Sequence, residues 1–224
     1  MQFPINRAAL SVVRRARAKL ANTLCFVTYV MLVLGLVASA EATPVDAPPT
    51  ENPDGYVLNE HVNYYLVTGD DGSALRRSLD SQGPIGVDGK RYDGYTRWDV
   101  HWDYVTESDA SSTCAVVSSN IVLNVEITLP QWQPAIDVPD SLQRRWLVYL
   151  KALRGHEDGH LENAEMAAMA IDHLLQTIGP QSDCQILDEK LQTLGQQILQ
   201  HFRDNDVEYD QRTEHGRTQG AVFP

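Results

Sequence analysis

The 224-residue chain carries 18 basic and 30 acidic residues, a formal charge of -12, with 43% apolar residues. That balance suits a folded core and excludes a basic nucleic-acid-binding surface. The apolar residues are unevenly spread, and the order in which they occur divides the chain.

Residues 1–42 hold Arg7, Arg14, Arg15, Arg17 and Lys19, followed by a mostly apolar run from Leu20 to Ala40 that closes in small residues. This is the pattern of an export signal, with an uncleaved membrane anchor as the competing reading, since the run is just long enough to span. Cys25 opens the run instead of closing it, which argues against lipid attachment. Without residues 1–42 the chain keeps 13 basic and 29 acidic residues and carries about -16. The expected location is therefore periplasmic or secreted, with membrane contact only through the N-terminal segment.

Residues 43–55 are rich in Pro, Thr, Asp and Glu and predict a flexible leader. A single domain is expected over 56–224. Glu60 to Thr68 (EHVNYYLVT) has strand composition, and Ser73 to Ser81 predicts a short helix ended by Gln82-Gly83-Pro84. Tyr92 to Val105 and Cys114 to Leu129 alternate as strands, with Thr96, Trp98, Val100, Trp102 and Tyr104 sharing one face. Hairpin-sized gaps imply an antiparallel sheet. The aromatics Tyr92 and Tyr95 belong with that sheet packing, and His61 and His101 are expected to be structural or solvent-facing.

Pro139-Asp140-Ser141 predicts a helix start, with Asp140 as cap and Gln143 completing a capping box, and helical periodicity runs to about Ile178. Another helix is expected over about Asp183 to Arg203, its buried stripe including Ile186, Leu187, Leu191 and Leu194. Strands followed by helices give an α+β layout. Only Cys114 and Cys184 follow residue 42, an even number in an oxidising compartment, so one disulfide is expected.

The long helix contains the most informative segment. His156, Glu157 and His160 form a His-Glu-x-x-His pattern. On a helix the two His lie one turn apart on one face and can reach one ion, while Glu157 sits about 100° round, where it can take a proton from a water at that ion. Trp146, Tyr149, Leu150 and Leu153 upstream and Ala164, Ala167, Ala168 and Ile171 downstream put the pair on the inward stripe. Catalytic zinc takes three protein ligands and a water, so a third ligand is required. Asp188 or Glu189, His173, His201 and His215 are the candidates, and His215 is preferred because Glu208 to Ala221 is an unusually specific polar segment, read as a Gly-punctuated loop.

HEDGHLENA at 156–164, YDQRTEHGRTQGA at 209–221, ITLPQW at 127–132 and the two cysteines together resemble the bacterial family described as predicted secreted zinc-dependent proteases, domain of unknown function 922. The similarity spans roughly Glu60 to Ala221. It implies a zincin-like metallopeptidase with His156 and His160 on Zn2+, Glu157 catalytic, and a peptide or protein substrate. Tyr209 is then the candidate oxyanion donor, and Asp210, Asp158 or Glu162 could orient a ligating imidazole. An edge strand within Cys114 to Leu129 could bind an extended peptide by strand addition. Two other readings remain open at this point: a periplasmic structural or assembly protein that binds zinc without catalysis, and a zinc amidase acting on cell-wall peptides.

Overall fold

The structure is a computed structural model that describes residues 55–134 and 138–223; the expected export segment and nearly all of the leader lie outside these residues. The elements run β1 (Val57–Thr68), α1 (Gly72–Gln82), β2 (Tyr95–Ser108), β3 (Cys114–Gln133), α2 (Asp140–Thr177), α3 (Cys184–Thr213) and a 3-10 turn at Arg217–Gln219. The α+β layout and the helix pair are as expected. Among the described residues no helix is long and apolar enough to cross a membrane.

The sheet is three-stranded in the order β1-β3-β2, and it is mixed. β2 pairs antiparallel with β3, but β1 pairs parallel with it, Val57 opposite Val122 through Thr68 opposite Gln133. The expectation of a purely antiparallel sheet is corrected here. Only the gap between Ser108 and Cys114 is hairpin-sized; β1 is followed by α1 and a loop, so the chain returns to the sheet at its far edge before folding back through the centre. The same order makes β3 the central strand, flanked on both edges over Val122–Thr128. Strand addition is therefore blocked along that stretch, and among the described residues β2 carries an edge that no other strand pairs with.

Alternation along β2 and β3 turns Val100, Ile121, Leu123, Val125, Ile127 and Leu129 inward, where they meet Trp146, Tyr149, Leu153, Ala164, Ala168 and Ile171 of α2. His61 of β1 and His101 of β2 are exposed, as expected. Burial of the inner sheet face at about 25 cal/mol per Å2 supplies the main cohesion. Cys114 and Cys184 are bonded, closing a separation of 70 residues and tying the first residue of α3 to the first of β3. In the chain-entropy description such a link is worth about 4 kcal/mol.

Two helix ends differ from expectation. At α2 the cap position is Pro139, without a side-chain hydrogen bond, and Gln143 donates to the Val138 carbonyl; Asp140 is already helical and can act only on the helix dipole. At α3 Asp183 caps through Ile186 N at 2.8 Å, but the helix continues through Thr213 instead of ending near Arg203. Past Arg203 the chain lacks an apolar stripe, and Glu208–Ala221 was expected to be loop. No Gly or Pro interrupts Asp204–Gln211, and the face this stretch turns to α2 is polar because it builds the site. Ile186, expected in the buried stripe, is 45% exposed at the start of the helix.

Candidate metal centre

α2 and α3 lie side by side, and their facing stripes converge on one point. From α2 come His156, Glu157 and His160, at 3%, 2% and 8% exposure. From α3 come Asp206 and Asp210, one turn apart, with Tyr209 between them. The Nε2 atoms of both imidazoles approach a single oxygen, Asp210 Oδ1, at 3.1 Å from His156 and 3.2 Å from His160. These three ligand-type atoms lie within 4.8 Å of one another.

The hydrogens on the other ring nitrogens are assigned by their partners. His160 Nδ1 faces Asp206 Oδ1 at 2.9 Å, a pure acceptor, so Nδ1 carries the hydrogen. For His156 a closed ring of contacts gives the same answer. Gln219 Nε2 donates to the Tyr209 hydroxyl at 3.0 Å, that hydroxyl donates to the His156 carbonyl at 3.2 Å, and Gln219 Oε1 is left to accept from His156 Nδ1 at 3.0 Å. In the neutral rings both Nε2 atoms then present lone pairs to a carboxylate oxygen. In that neutral state three electron-rich atoms converge, and either a proton on each Nε2, donated to Asp210, or a divalent ion completes the arrangement.

The electrostatics agree. Burial works against charge on His160, but hydrogen bonds to Asp206 and Asp210 outweigh it and push its pKa up to about 10. Burial likewise opposes ionisation of Asp210, yet the hydrogen bonds from His156 and His160 hold its carboxyl well below the usual carboxylate range. The pocket favours positive charge at its centre, which either protons or a divalent ion can supply. Two imidazoles and a carboxylate, each imidazole held through Nδ1, form a donor set that fits zinc.

Glu157 occupies the adjoining wall. Thr96 of β2 donates to its Oε2 at 2.7 Å, while Oε1 lies against Gly94, where an added Cβ would stand only 2.5 Å away. Glycine is required there to make room for the carboxylate. Burial pushes the Glu157 carboxyl up, with the Thr96 hydroxyl partly offsetting it. A second close approach is at Gly159 on α2, where a Cβ would meet the Tyr209 hydroxyl at 2.3 Å. A cleft of about 750 Å3 opens over the cluster, bounded by Gly86–Trp98 on one side and by Arg203, Val207, Gln211 and His215 on the other.

The expected site residues fall into three groups. His156, Glu157 and His160 are together. His215 is nearby, half-exposed, with Nδ1 3.4 Å from Asp210 Oδ1 and its ring 4.8 Å from that of Tyr92. Two successive left-handed residues, Glu214 and His215, turn the chain back there. The position next to both imidazoles is held by Asp210, which had been expected only to orient a ligand. Asp188 is bonded to Tyr104 and Glu189 to Gln185 near the far end of α3, and the exposed His173 and His201 are likewise outside the cluster. Asp158 pairs with Arg154 and Glu162 is exposed, so neither holds an imidazole.

Tyr209 is corrected in role. It stacks on His156 at 5.0 Å with its hydroxyl committed to the His156 carbonyl and Gln219, behind the ligand cluster instead of in the cleft. Asp206, Gln219, Thr96 and Gly94 were not anticipated. The i, i+4 spacing of Asp206 and Asp210 was the one signal available for the first of these, and it becomes readable once the helix is known to continue.

None of the curated proteins and none of the solved structures compared with the chain matches it. One family model does, over residues 62–216, from the middle of β1 through the turn after α3. By that match, which covers well over half of its length, the chain belongs to the family described as bacterial protein of unknown function (DUF922).

Proposed function

We propose that the protein is an exported, zincin-like, zinc-dependent peptidase in which His156, His160 and Asp210 hold the ion and Glu157 is the general base. The observation that carries the reading is the convergence of two Nε2 atoms and one carboxylate oxygen beside a buried glutamate at the wall of an open cleft. When bound, zinc supplies Lewis acidity toward a water and a scissile carbonyl.

The protein's own residues do the rest. Glu157, fixed through Oε2 by Thr96, takes the attacking water's proton and passes it to the amine as the C–N bond breaks. Its buried setting raises its basicity toward the range this transfer needs. Asp206 and Gln219 keep both Nδ1 atoms occupied, so that Nε2 of each ring is available to the ion. β2 runs along the cleft through Tyr95–Trp98 with an edge that no strand among the described residues occupies, and an extended peptide can pair there.

The test is metal analysis of purified, untagged protein, followed by casein cleavage by wild type and Glu157→Gln. The expected outcome is about one zinc per chain in both proteins, with turnover lower by about 10²–10⁴-fold in the variant. Full turnover in the variant would reject Glu157 as base, and protein without metal would reject the reading as a whole.

A further inference from the structure

We infer that Asp206 is a positioning residue that sets the zinc affinity of the site through His160, with Trp98 and Asn163 as its anchors. The inference rests on the metal reading proposed above. Asp206 and Asp210 stand one helical turn apart on α3 and clamp one imidazole between them, Oδ1 of Asp206 on Nδ1 at 2.9 Å and Oδ1 of Asp210 on Nε2 at 3.2 Å.

The Asp206 carboxylate is itself immobilised from two further elements. Trp98 of β2 donates its indole N–H to Oδ2 at 2.6 Å. Asn163 of α2 donates to Oδ1 at 2.8 Å, and its amide is aimed by a second hydrogen bond to the Phe202 carbonyl, also 2.8 Å. With both oxygens engaged, Asp206 cannot rotate inward to become a ligand. Its negative charge instead acts across the ring, making Nε2 a stronger electron donor and holding the imidazole plane toward Asp210. β2, α2 and α3 meet at this one carboxylate. The ring of Trp98 also lines the cleft, so the same side chain contributes to its wall and holds the residue behind the metal ligand.

A carboxylate with only a structural role would stabilise the fold without changing metal affinity, and the experiment separates the two. Zinc affinity of full-length wild type and Asp206→Asn is measured by competition with a chromophoric chelator, alongside the melting temperature of each metal-free protein. Asparagine keeps the size and loses the charge. The expected result is zinc binding weaker by about 10–100-fold, with little change in metal-free melting. Equal affinities overturn the inference, as does a drop in melting temperature with affinity unchanged.

If Asp206→Asn does not fold, ring 15N spectra of zinc-loaded wild type decide. His160 with a protonated Nδ1 and a metal-shifted Nε2 supports the inference, and the reverse assignment overturns it. Wild type that holds no zinc removes the metal reading and this inference together, whereas zinc held equally by both proteins removes only the inference.

Discussion

Two part-buried polar clusters, around Asp93 and around Asp210, differ in one respect. Around Asp93, at the entry to β2, every acceptor has a hydrogen. Arg76 donates to both carboxylate oxygens, Tyr149 donates to Oδ2 at 2.8 Å, and Tyr65 donates to the Asp93 carbonyl at 2.7 Å. Around Asp210 the acceptors outnumber the hydrogens as long as the imidazoles are neutral, since each then spends its N–H on Gln219 or Asp206 and turns a lone pair toward Oδ1. The first cluster is complete by itself and can serve as structure. The second is complete only with added charge, from protons on the rings or from a divalent ion. Residue type alone does not separate them; the count of hydrogens does.

The sharpest way to break this comparison is to remove Asp93. Asp93→Ala leaves Arg76 and Tyr149 facing an apolar gap, and the expected loss is about 3 kcal/mol, the low end for a buried pair because Arg76 keeps some solvent contact. Urea unfolding measures it. A loss under about 1 kcal/mol would mean the cluster is not the structural node described.

The site should respond in the opposite manner. Zinc at one hundred times its Kd is expected to stabilise wild type by about 2.7 kcal/mol. Asp93→Ala keeps that increment on a lower baseline, whereas His160→Ala and Asp210→Ala lose it. Thermal melts with zinc and with a chelator test the contrast, and an increment that survives in Asp210→Ala would remove this residue from the ligand set.

Between the two clusters lies Gly94, immediately after Asp93. Gly94→Ala drives a Cβ to within 2.5 Å of Glu157 Oε1 and 3.0 Å of Leu153 Cδ1. A stability cost of about 2 kcal/mol is expected from overpacking, and a larger effect on chemistry, about 10²-fold in kcat, because the base is displaced. If peptide turnover is unchanged in a folded Gly94→Ala protein, the position of Glu157 does not matter to the reaction.

How much of this was legible beforehand follows from where periodicity survives. α2 announces itself because Trp146, Tyr149, Leu153, Ala164, Ala168 and Ile171 keep helical spacing, and that stripe carries His156 and His160 inward with it. The disulfide follows from the cysteine count together with the expectation of export. The last third of α3 was hidden for the same physical reason that makes it functional. Its inward face consists of half-buried Asp206, Tyr209 and Asp210 with buried Thr213, so an apolar pattern cannot appear there, and a polar helix reads as a loop. The parallel pairing of β1 depends on a crossover through α1, which no local pattern encodes. Gly94, adjacent to the base, is visible only when the distant residues it makes room for are in place.

The smallest effect tests the completeness of the Asp93 cluster by pH. Burial, then the charge and hydrogen bond of Asp93, push the Tyr149 phenol above its ordinary value. Below about pH 10 the phenol is protonated in folded and unfolded chains alike, and its contribution to stability is fully present. Above pH 10 the unfolded chain loses its proton first, so stability falls by about 1.4 kcal/mol per pH unit for this group until the folded phenol ionises too. Tyr149→Phe loses one hydrogen bond, about 1 kcal/mol at pH 8, but is spared that slope. Urea midpoints at pH 8, 10 and 11 should therefore converge for wild type and variant as pH rises. Midpoints that stay parallel would mean that the Tyr149 hydroxyl titrates as it does in the unfolded chain, and the Asp93 cluster could no longer be counted as closed.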